Sequence, residues 1–269
     1  MSKIRNADIE RAQAGDRKAL EMVVRGVQDR VYRLAARMLA NPVAAEDATQ
    51  EILIRIVTKL STYRAESSFE TWSYRVATNY LLTAKKVIAK DIGLSFQMFS
   101  DDLLNGLADE NHAAPEDHVL LNELRLKCTM AMLLCLDREH RAAYVLGDVL
   151  ELEHTEASHI LDIAPATYRK RLSRARKSVE EFTAATCGLA NRAAPCSCPK
   201  RLPAAISAGR IHPEKPANLR DVPKYQTVQA LAANVETNLV AAKLQRATGP
   251  LRPLKDYAVG VLQIVDPSG

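Results

Sequence analysis

Leu152–Lys177 reads LEHTEASHILDIAPATYRKRLSRARK, and its grammar is a short helix, a tight turn and a second helix loaded with positive charge. That is a helix-turn-helix, a unit whose second helix lies in the DNA major groove. Ala157, Ile160, Leu161, Ile163, Tyr168 and Leu172 fall where the two helices must pack. Arg169, Lys170, Ser173 and Arg174 then face away from Tyr168 and Leu172. Arginine can pair with guanine edges, and all four side chains can reach phosphates. From Arg169 to Lys177 the basic residues are Arg169, Lys170, Arg171, Arg174, Arg176 and Lys177, with no acid among them, which a merely solvated helix face rarely shows.

Working upstream, the chain repeats helical signals. Asp16 can cap a helix from Arg17 to about Ala40, with Val27, Val31, Leu34, Ala35 and Met38 at helical spacing on its buried face. Asn41-Pro42 restarts the chain with a good N-cap and a proline suited to the first helical position. That next helix runs to about Leu60 and buries Ile52, Ile56 and Leu60. Ser67-Ser68-Phe69-Glu70 fits a capping box opening a third helix to about Lys90. Further helices are expected at about Glu116–Leu136 and Arg138–Val149. The expected fold is all-α: two small helical domains joined by an acidic flexible linker, followed by an irregular C-terminal extension.

The balance of charge supports this division. The net charge is +5, mildly basic, while Asp91–His118 carries Asp91, Asp101, Asp102, Asp109, Glu110, Glu116 and Asp117 and no lysine or arginine. A polar acidic stretch with Gly93, Gly106 and Pro115 reads as a tether, with one short helical turn around Asp102–Leu107. Its sharper alternative is that Asp101, Asp102, Asp109 and Glu110 imitate nucleic acid in a basic channel. No stretch approaches the ~18 apolar residues of a membrane span, and the N-terminus lacks the apolar segment of a signal peptide. A cytoplasmic protein with no membrane insertion is expected. No glycine-rich phosphate loop, nucleophile elbow or paired-carboxylate metal site is present, so an enzyme is not expected.

Two stretches together carry a family resemblance. Val31–Leu81, VYRLAARMLANPVAAEDATQEILIRIVTKLSTYRAESSFETWSYRVATNYL, resembles region 2 of bacterial sigma factors, and Leu152–Val179 resembles region 4. With only a short linker between them, the chain resembles the compact extracytoplasmic-function (ECF) group from about Ala7 to Phe182. The resemblance implies residues 1–90 as region 2, 91–115 as linker, 116–185 as region 4 and 186–269 as an addition outside the minimal pattern. It implies that Glu46, Asp47, Gln50 and Glu51 dock on core RNA polymerase, through its β′ clamp helices. Alone, that polar stripe would read as a solvated helix face. It implies that Arg64, Ser67, Ser68, Phe69, Thr71, Trp72, Arg75 and Asn79 read the minus-ten element, where opening DNA needs a pocket and stacking surfaces for an extruded base. Phe69 and Trp72 could equally be core aromatics. It implies that Thr167, Arg169, Lys170, Ser173 and Arg174 read minus-35 DNA. Asp162 stands where the family's turn usually has Gly, and Asp tolerates the left-handed backbone the turn needs.

Such a protein directs promoter-specific initiation in company with the polymerase β and β′ subunits and promoter DNA. Its regulator would be an anti-sigma factor, or the extension acting in its place. The competing reading is a free-standing helix-turn-helix regulator, which would need neither the acidic stripe nor the Arg64–Asn79 loop and helix. No cofactor is required by either. The extension does hold Cys187, Cys196 and Cys198, with His212 a candidate fourth ligand for zinc. The spacing C-x8-C-x-C is not that of a standard finger. A redox pair of Cys187 with Cys196 or Cys198 is the alternative, giving a redox- or zinc-responsive variant of the same protein; Cys196 and Cys198 would pair with each other only under strain. Cys128 and Cys135, one heptad apart, read as small core residues.

Overall fold

The computed structural model describes residues 4–88, 91, 93–108, 117–217, 222–249 and 251–265. In chain order the helices are α1 (Asn6–Gln13), α2 (Arg17–Leu39), α3 (Pro42–Thr58), α4 (Phe69–Thr83), α5 (Lys85–Ile88), α6 (Phe96–Leu104), α7 (His118–Leu134), α8 (Arg138–Tyr144), α9 (His154–Leu161), α10 (Pro165–Thr186), α11 (Cys198–Ser207), α12 (Tyr225–Ala233), α13 (Thr237–Arg246) and α14 (Ala258–Val265). Among the described residues the one departure from helical pairing is an isolated bridge between Cys187 and Cys196. The all-α expectation therefore holds.

The chain forms two compact units, each assembled from separated segments. Unit one is Met1–Asp91, Leu152–Tyr168 and Leu251–Gly269; unit two is Ile92–Glu151 and Arg169–Pro250. In unit one the capping chemistry sits where the residues dictate. Asp16 accepts from the Ala19 amide at 3.0 Å, and Asn41 accepts from the Ala44 amide at 2.9 Å with Pro42 opening α3. Val27, Val31, Leu34, Ile52, Leu53 and Ile56 fill the α2–α3 core, against which α4 also packs. The N-cap of α4 is Ser68, which accepts from the Thr71 amide at 3.0 Å, so the expected Ser67–Glu70 capping box is not used. The expected third helix also breaks early, because Ala84 is extended (ψ 121°) and ends α4.

Unit two differs more from expectation. The segment expected as a flexible linker contains α6, anchored by buried Phe99 and Leu103. Phe96 and Phe99 lie against Phe182, with ring centroids 5.2 and 5.4 Å apart. Nor is the extension irregular: α11, α12 and α13 all pack on α7, and α14 is helical too. Leu120, Leu121 and Leu124 of α7 share a core with Leu202, Ala205, Ile211 and Tyr225. The single amphipathic helix expected at Gln226–Gln245 is split into α12 and α13, with Val228, Ala232, Val240 and Leu244 closing a second small core. The described residues of 186–249 are thus part of one folded unit with α7 and α8 rather than an appendage.

Candidate nucleic-acid interface

Helices α9 and α10 form the helix-turn-helix. The turn depends on Asp162, whose φ of 56° and ψ of 44° place it in the left-handed region. Its amide and that of Ile163 donate back to the His159 and Ser158 carbonyls at 3.2 and 3.1 Å, closing the end of α9. Ala157, Ile160, Tyr168 and Leu172 are buried as expected, whereas Leu161 and Ile163 are half-buried. On the other side of α10, Thr167, Arg169, Lys170, Ser173 and Arg174 are all exposed, beside Lys177. Two of the six basic residues have different work. Arg171 pairs with Glu139 at 2.5 Å, and Arg176 holds nearly buried Asp148 with bonds of 2.6 and 2.9 Å. The cationic surface is therefore the Arg169, Lys170, Arg174 and Lys177 side of the helix.

The loop before α4 is held by its own side chains. The Gln13 amide donates to the Leu60 and Tyr63 carbonyls at 2.9 and 3.0 Å, and the Tyr63 hydroxyl donates to the Ser67 carbonyl at 2.9 Å. Ala65 takes φ 57°, which turns the loop tip. Arg64 and Ser68 are exposed at that tip, Ser67 is half-buried and Asn79 is exposed further along α4. Tyr63, Phe69 and Trp72 form an aromatic cluster, Phe69 stacked on Trp72 with centroids 5.4 Å apart. Phe69 is only 2% exposed and supports this platform from the core, the second of the two positions its sequence left open. Trp72 stays half-exposed and presents the platform's outer surface. Thr71 is buried: its hydroxyl donates to Glu156 of α9 at 2.6 Å. Arg75 pairs with Asp162 at 2.9 Å. Within unit one, two of the expected minus-ten residues are thus engaged by the first helix and turn of the helix-turn-helix.

The acidic stripe lies on α3, and part of it is covered by the chain itself. The Leu254 amide donates to Glu46 Oε1 at 3.1 Å, Lys255 Nζ donates to Gln50 Oε1 at 3.5 Å, and the Tyr257 hydroxyl donates to the Glu46 carbonyl at 3.3 Å. Burial, reinforced by Glu46, raises the Tyr257 phenol above its ordinary pKa. Around these contacts Arg25 binds Asp256 at 2.8 Å, Gln28 accepts from the Tyr257 amide at 3.0 Å, and α14 buries Ala258, Val261 and Leu262 against α2 and α3. Asp47, Gln50 and Glu51 line a hollow on α3 with Leu39, Tyr80 and Val87. The contribution of residues 254–257 was not visible in the sequence, because nothing local distinguishes them.

Of the expected cysteine ligands, Cys187, Cys196 and Cys198 line one cavity in unit two. His212 is not among them; it is exposed and bound to Glu214 at 3.2 Å. Cys128 of α7 lines the cavity instead. Of the linker acids, Asp102 pairs with Arg201 and Arg210 inside unit two, and these guanidiniums hold its carboxyl below the ordinary range. Asp109 and Glu110 lie outside the described residues.

Comparison with known proteins places these surfaces in a family. The Sigma-70 region 2 model matches residues 23–87 and the Sigma-70, region 4 model matches residues 126–179. The chain is 29% identical over 185 residues to the ECF RNA polymerase sigma factor SigW of Bacillus subtilis, covering 64% of this chain and 93% of that protein. It is 31% identical over 174 residues to the ECF RNA polymerase sigma factor SigE of Mycolicibacterium smegmatis, covering 63% and 65%. A chain in the solved complex of the sigma factor RpoE with the anti-sigma factor NepR from Bartonella quintana aligns with a TM-score of 0.42 at 20% identity, over 58% of this chain and 91% of that one. Among the described residues no helix is long and apolar enough to cross a membrane. With the two region models matched in order on the helices that carry the stripe, the loop and the basic face, the chain belongs to the ECF group of RNA polymerase sigma factors.

Proposed function

We propose that this sigma factor docks on core RNA polymerase through Glu46, Asp47, Gln50 and Glu51, reads minus-35 DNA with α10, and captures the minus-ten strand at the loop before α4. It acts in the cytoplasm and has no catalytic step of its own. The observation that carries the reading is the exposed side of α10: Thr167, Arg169, Lys170, Ser173 and Arg174 are exposed together while Arg171 and Arg176 turn to acids. Such a face supplies phosphate contacts along its edges and base contacts at its centre. For the minus-ten element, Arg64, Ser67, Ser68, Trp72 and Asn79 offer donors and one stacking surface around the loop tip, with Phe69 bracing Trp72 from behind. Domain work follows the same division, with residues 1–90 for polymerase and minus-ten contacts and 116–185 for the minus-35 contact.

A second part of the reading rests on the tail. Residues 254–257 meet Glu46 and Gln50 directly, so the tail and the polymerase compete for one face. Thr71 and Arg75 are likewise held by Glu156 and Asp162, so this arrangement of the chain is closed to both the polymerase and minus-ten DNA. An anti-sigma factor, where one exists, would act on the open form.

In-vitro transcription with purified core polymerase on a library of random upstream DNA tests both parts. Transcripts starting a fixed distance from a shared two-part motif support the sigma reading and give the promoter. A chain ending at Gly249 should be more active than the full chain. Silence from both, with duplex binding intact on a palindromic site, would move the assignment to a free-standing regulator.

A further inference from the structure

Cys128, Cys187, Cys196 and Cys198 come from three places in the chain and line a single cavity of about 180 Å³ in unit two. Cys187 follows the last turn of α10, with its amide bonded to the Thr183 carbonyl at 2.9 Å. Cys196 pairs with it across the isolated bridge: the Cys196 amide donates to the Thr186 carbonyl at 3.2 Å and the Gly188 amide donates to the Cys196 carbonyl at 2.7 Å. This close approach needs glycine at 188, where a Cβ would stand 2.9 Å from the Cys196 oxygen. Ser197 caps α11, so Cys198 occupies the first turn of that helix, where unpaired amides favour negative charge. Cys128 sits on α7 against the same core. Cys135, the fifth cysteine, does not line the cavity; its thiol bonds to the Ala131 carbonyl within its own helix.

A second feature of the cavity points independently to an anionic centre there. Arg125 lines it and is 1% exposed. Its Nε donates to Asn122 at 3.0 Å and one Nη to the Ala247 carbonyl at 3.2 Å, while Nη1 is buried without a partner. Among the described residues no carboxylate pairs with it. A buried guanidinium without a counter-charge is strongly disfavoured. The acidic groups in its own cavity are the four thiols and the Tyr225 phenol, and of these the thiols are the ones a soft cation deprotonates.

We propose that these four cysteines form a thiolate site for a soft, thiophilic cation, zinc(II) in the first instance, with Arg125 balancing the charge of the loaded centre. Zinc takes four sulfur ligands tetrahedrally at about 2.3 Å. Each Zn–S bond replaces one S–H bond, so four protons leave to solvent and no electron is transferred. The loaded centre carries a charge of 2−, which Arg125 offsets in part. Among the described residues no three cysteine, histidine, aspartate or glutamate side chains converge as a ready-made metal centre. The cation must therefore draw the sulfurs together, and changes of χ1 move each Sγ without moving backbone. The consequence is mechanical. A cation held by Cys128 on one side and Cys187, Cys196 and Cys198 on the other pins the extension to α7, a helix matched in part by the region 4 model.

The test reads metal, not transcription, so it stands apart from the sigma assignment. Full-length chain is purified under reducing conditions and titrated with cobalt(II), whose charge-transfer absorption scales with the number of bound thiolates. Zinc(II) and copper(I) are then competed against chromophoric chelators in separate arms. The expected result is one equivalent of cobalt with a four-thiolate spectrum, displaced by zinc. Copper(I) binding tightly while zinc fails to displace cobalt would overturn zinc as the occupant. Cys128→Ser should weaken binding by more than about tenfold and remove one thiolate from the spectrum, Arg125→Met should weaken it about tenfold, and Cys135→Ser should change neither. Absence of thiolate charge transfer in the folded wild-type chain overturns the proposal. So does intact-mass detection of a Cys187 disulfide as the stable form, or a Cys128→Ser chain that binds like wild type.

Discussion

Leu262→Ala isolates the role of the tail. Leu262 is 4% exposed and lies on α14, which packs on α2 and α3 beside the stripe that includes Glu46 and Gln50. Truncating a buried leucine costs about 2–5 kcal/mol, and a site near the end of a terminal helix can collapse, so the lower figure of about 2 kcal/mol applies. That energy comes out of the docked arrangement alone, because an undocked tail exposes residue 262 either way. A loss of about 2 kcal/mol shifts the closed-to-open ratio roughly 30-fold, since about 1.4 kcal/mol is a factor of ten. Apparent affinity scales with the fraction of competent molecules, so affinity for core polymerase should rise by up to that factor. The assay is competition of labelled full-length chain for core polymerase, with hydrogen exchange across 251–265 to report docking. Val259→Ala, at a half-exposed position on the same helix, is the control and should change affinity by less than about twofold. If Leu262→Ala frees the tail by hydrogen exchange while affinity stays within twofold of wild type, the tail does not compete with polymerase.

On α10, Arg174→Ala should weaken minus-35 duplex binding by about 1–3 kcal/mol and relax preference at one base position, whereas Lys170→Ala should weaken all sequences alike and reduce the salt slope by about one; fluorescence anisotropy across a salt series separates them. Asp162→Gly removes a side chain from a φ of 56° and also the exposed ion pair with Arg75; relief of the left-handed backbone outweighs an exposed pair, so Tm should rise by the equivalent of less than about 1 kcal/mol while Arg75 is released. Asp102 has a folded pKa held below its unfolded value by Arg210, with Arg201 adding to this. Its contribution is therefore present above the ordinary carboxylate range, near about pH 4, and is lost as pH falls through the folded value. Acid titration of Asp102→Asn beside wild type should show a stability gap at neutral pH that closes in acid; a gap independent of pH would refute this linkage. Arg176→Met leaves Asp148, 9% exposed, without its partner and should cost about 3 kcal/mol in urea unfolding.

What could be read from residues alone was set by local chemistry. Asp16, Asn41-Pro42 and the Asp162 turn act within four residues of themselves, so a cap or a left-handed turn is visible wherever its side chain stands. The exposed side of α10 was equally legible, because Tyr168 and Leu172 set the phase of every other residue on that helix. Phe69 was harder. A loop-edge aromatic beside a candidate base pocket serves the pocket or the core, and only the Tyr63–Phe69–Trp72 stacking decides which. In the acidic segment the apolar spacing of Phe96, Phe99 and Leu103 was a helical signal outweighed by the surrounding charge, and its partner Phe182 lies far along the chain. Cys128 and Leu254–Tyr257 mark the limit of local reading. Cys128 meets Cys187, Cys196 and Cys198 only because α7 passes beneath α11, and Tyr257 meets Glu46 only because α14 returns to α2 and α3. Such long-range returns leave no spacing pattern, yet in this chain they determine which surface is covered and which thiols share a cavity. The covered stripe and the shared cavity are therefore where regulation of this sigma factor should be sought, ahead of α10, whose exposed basic side its sequence makes plain.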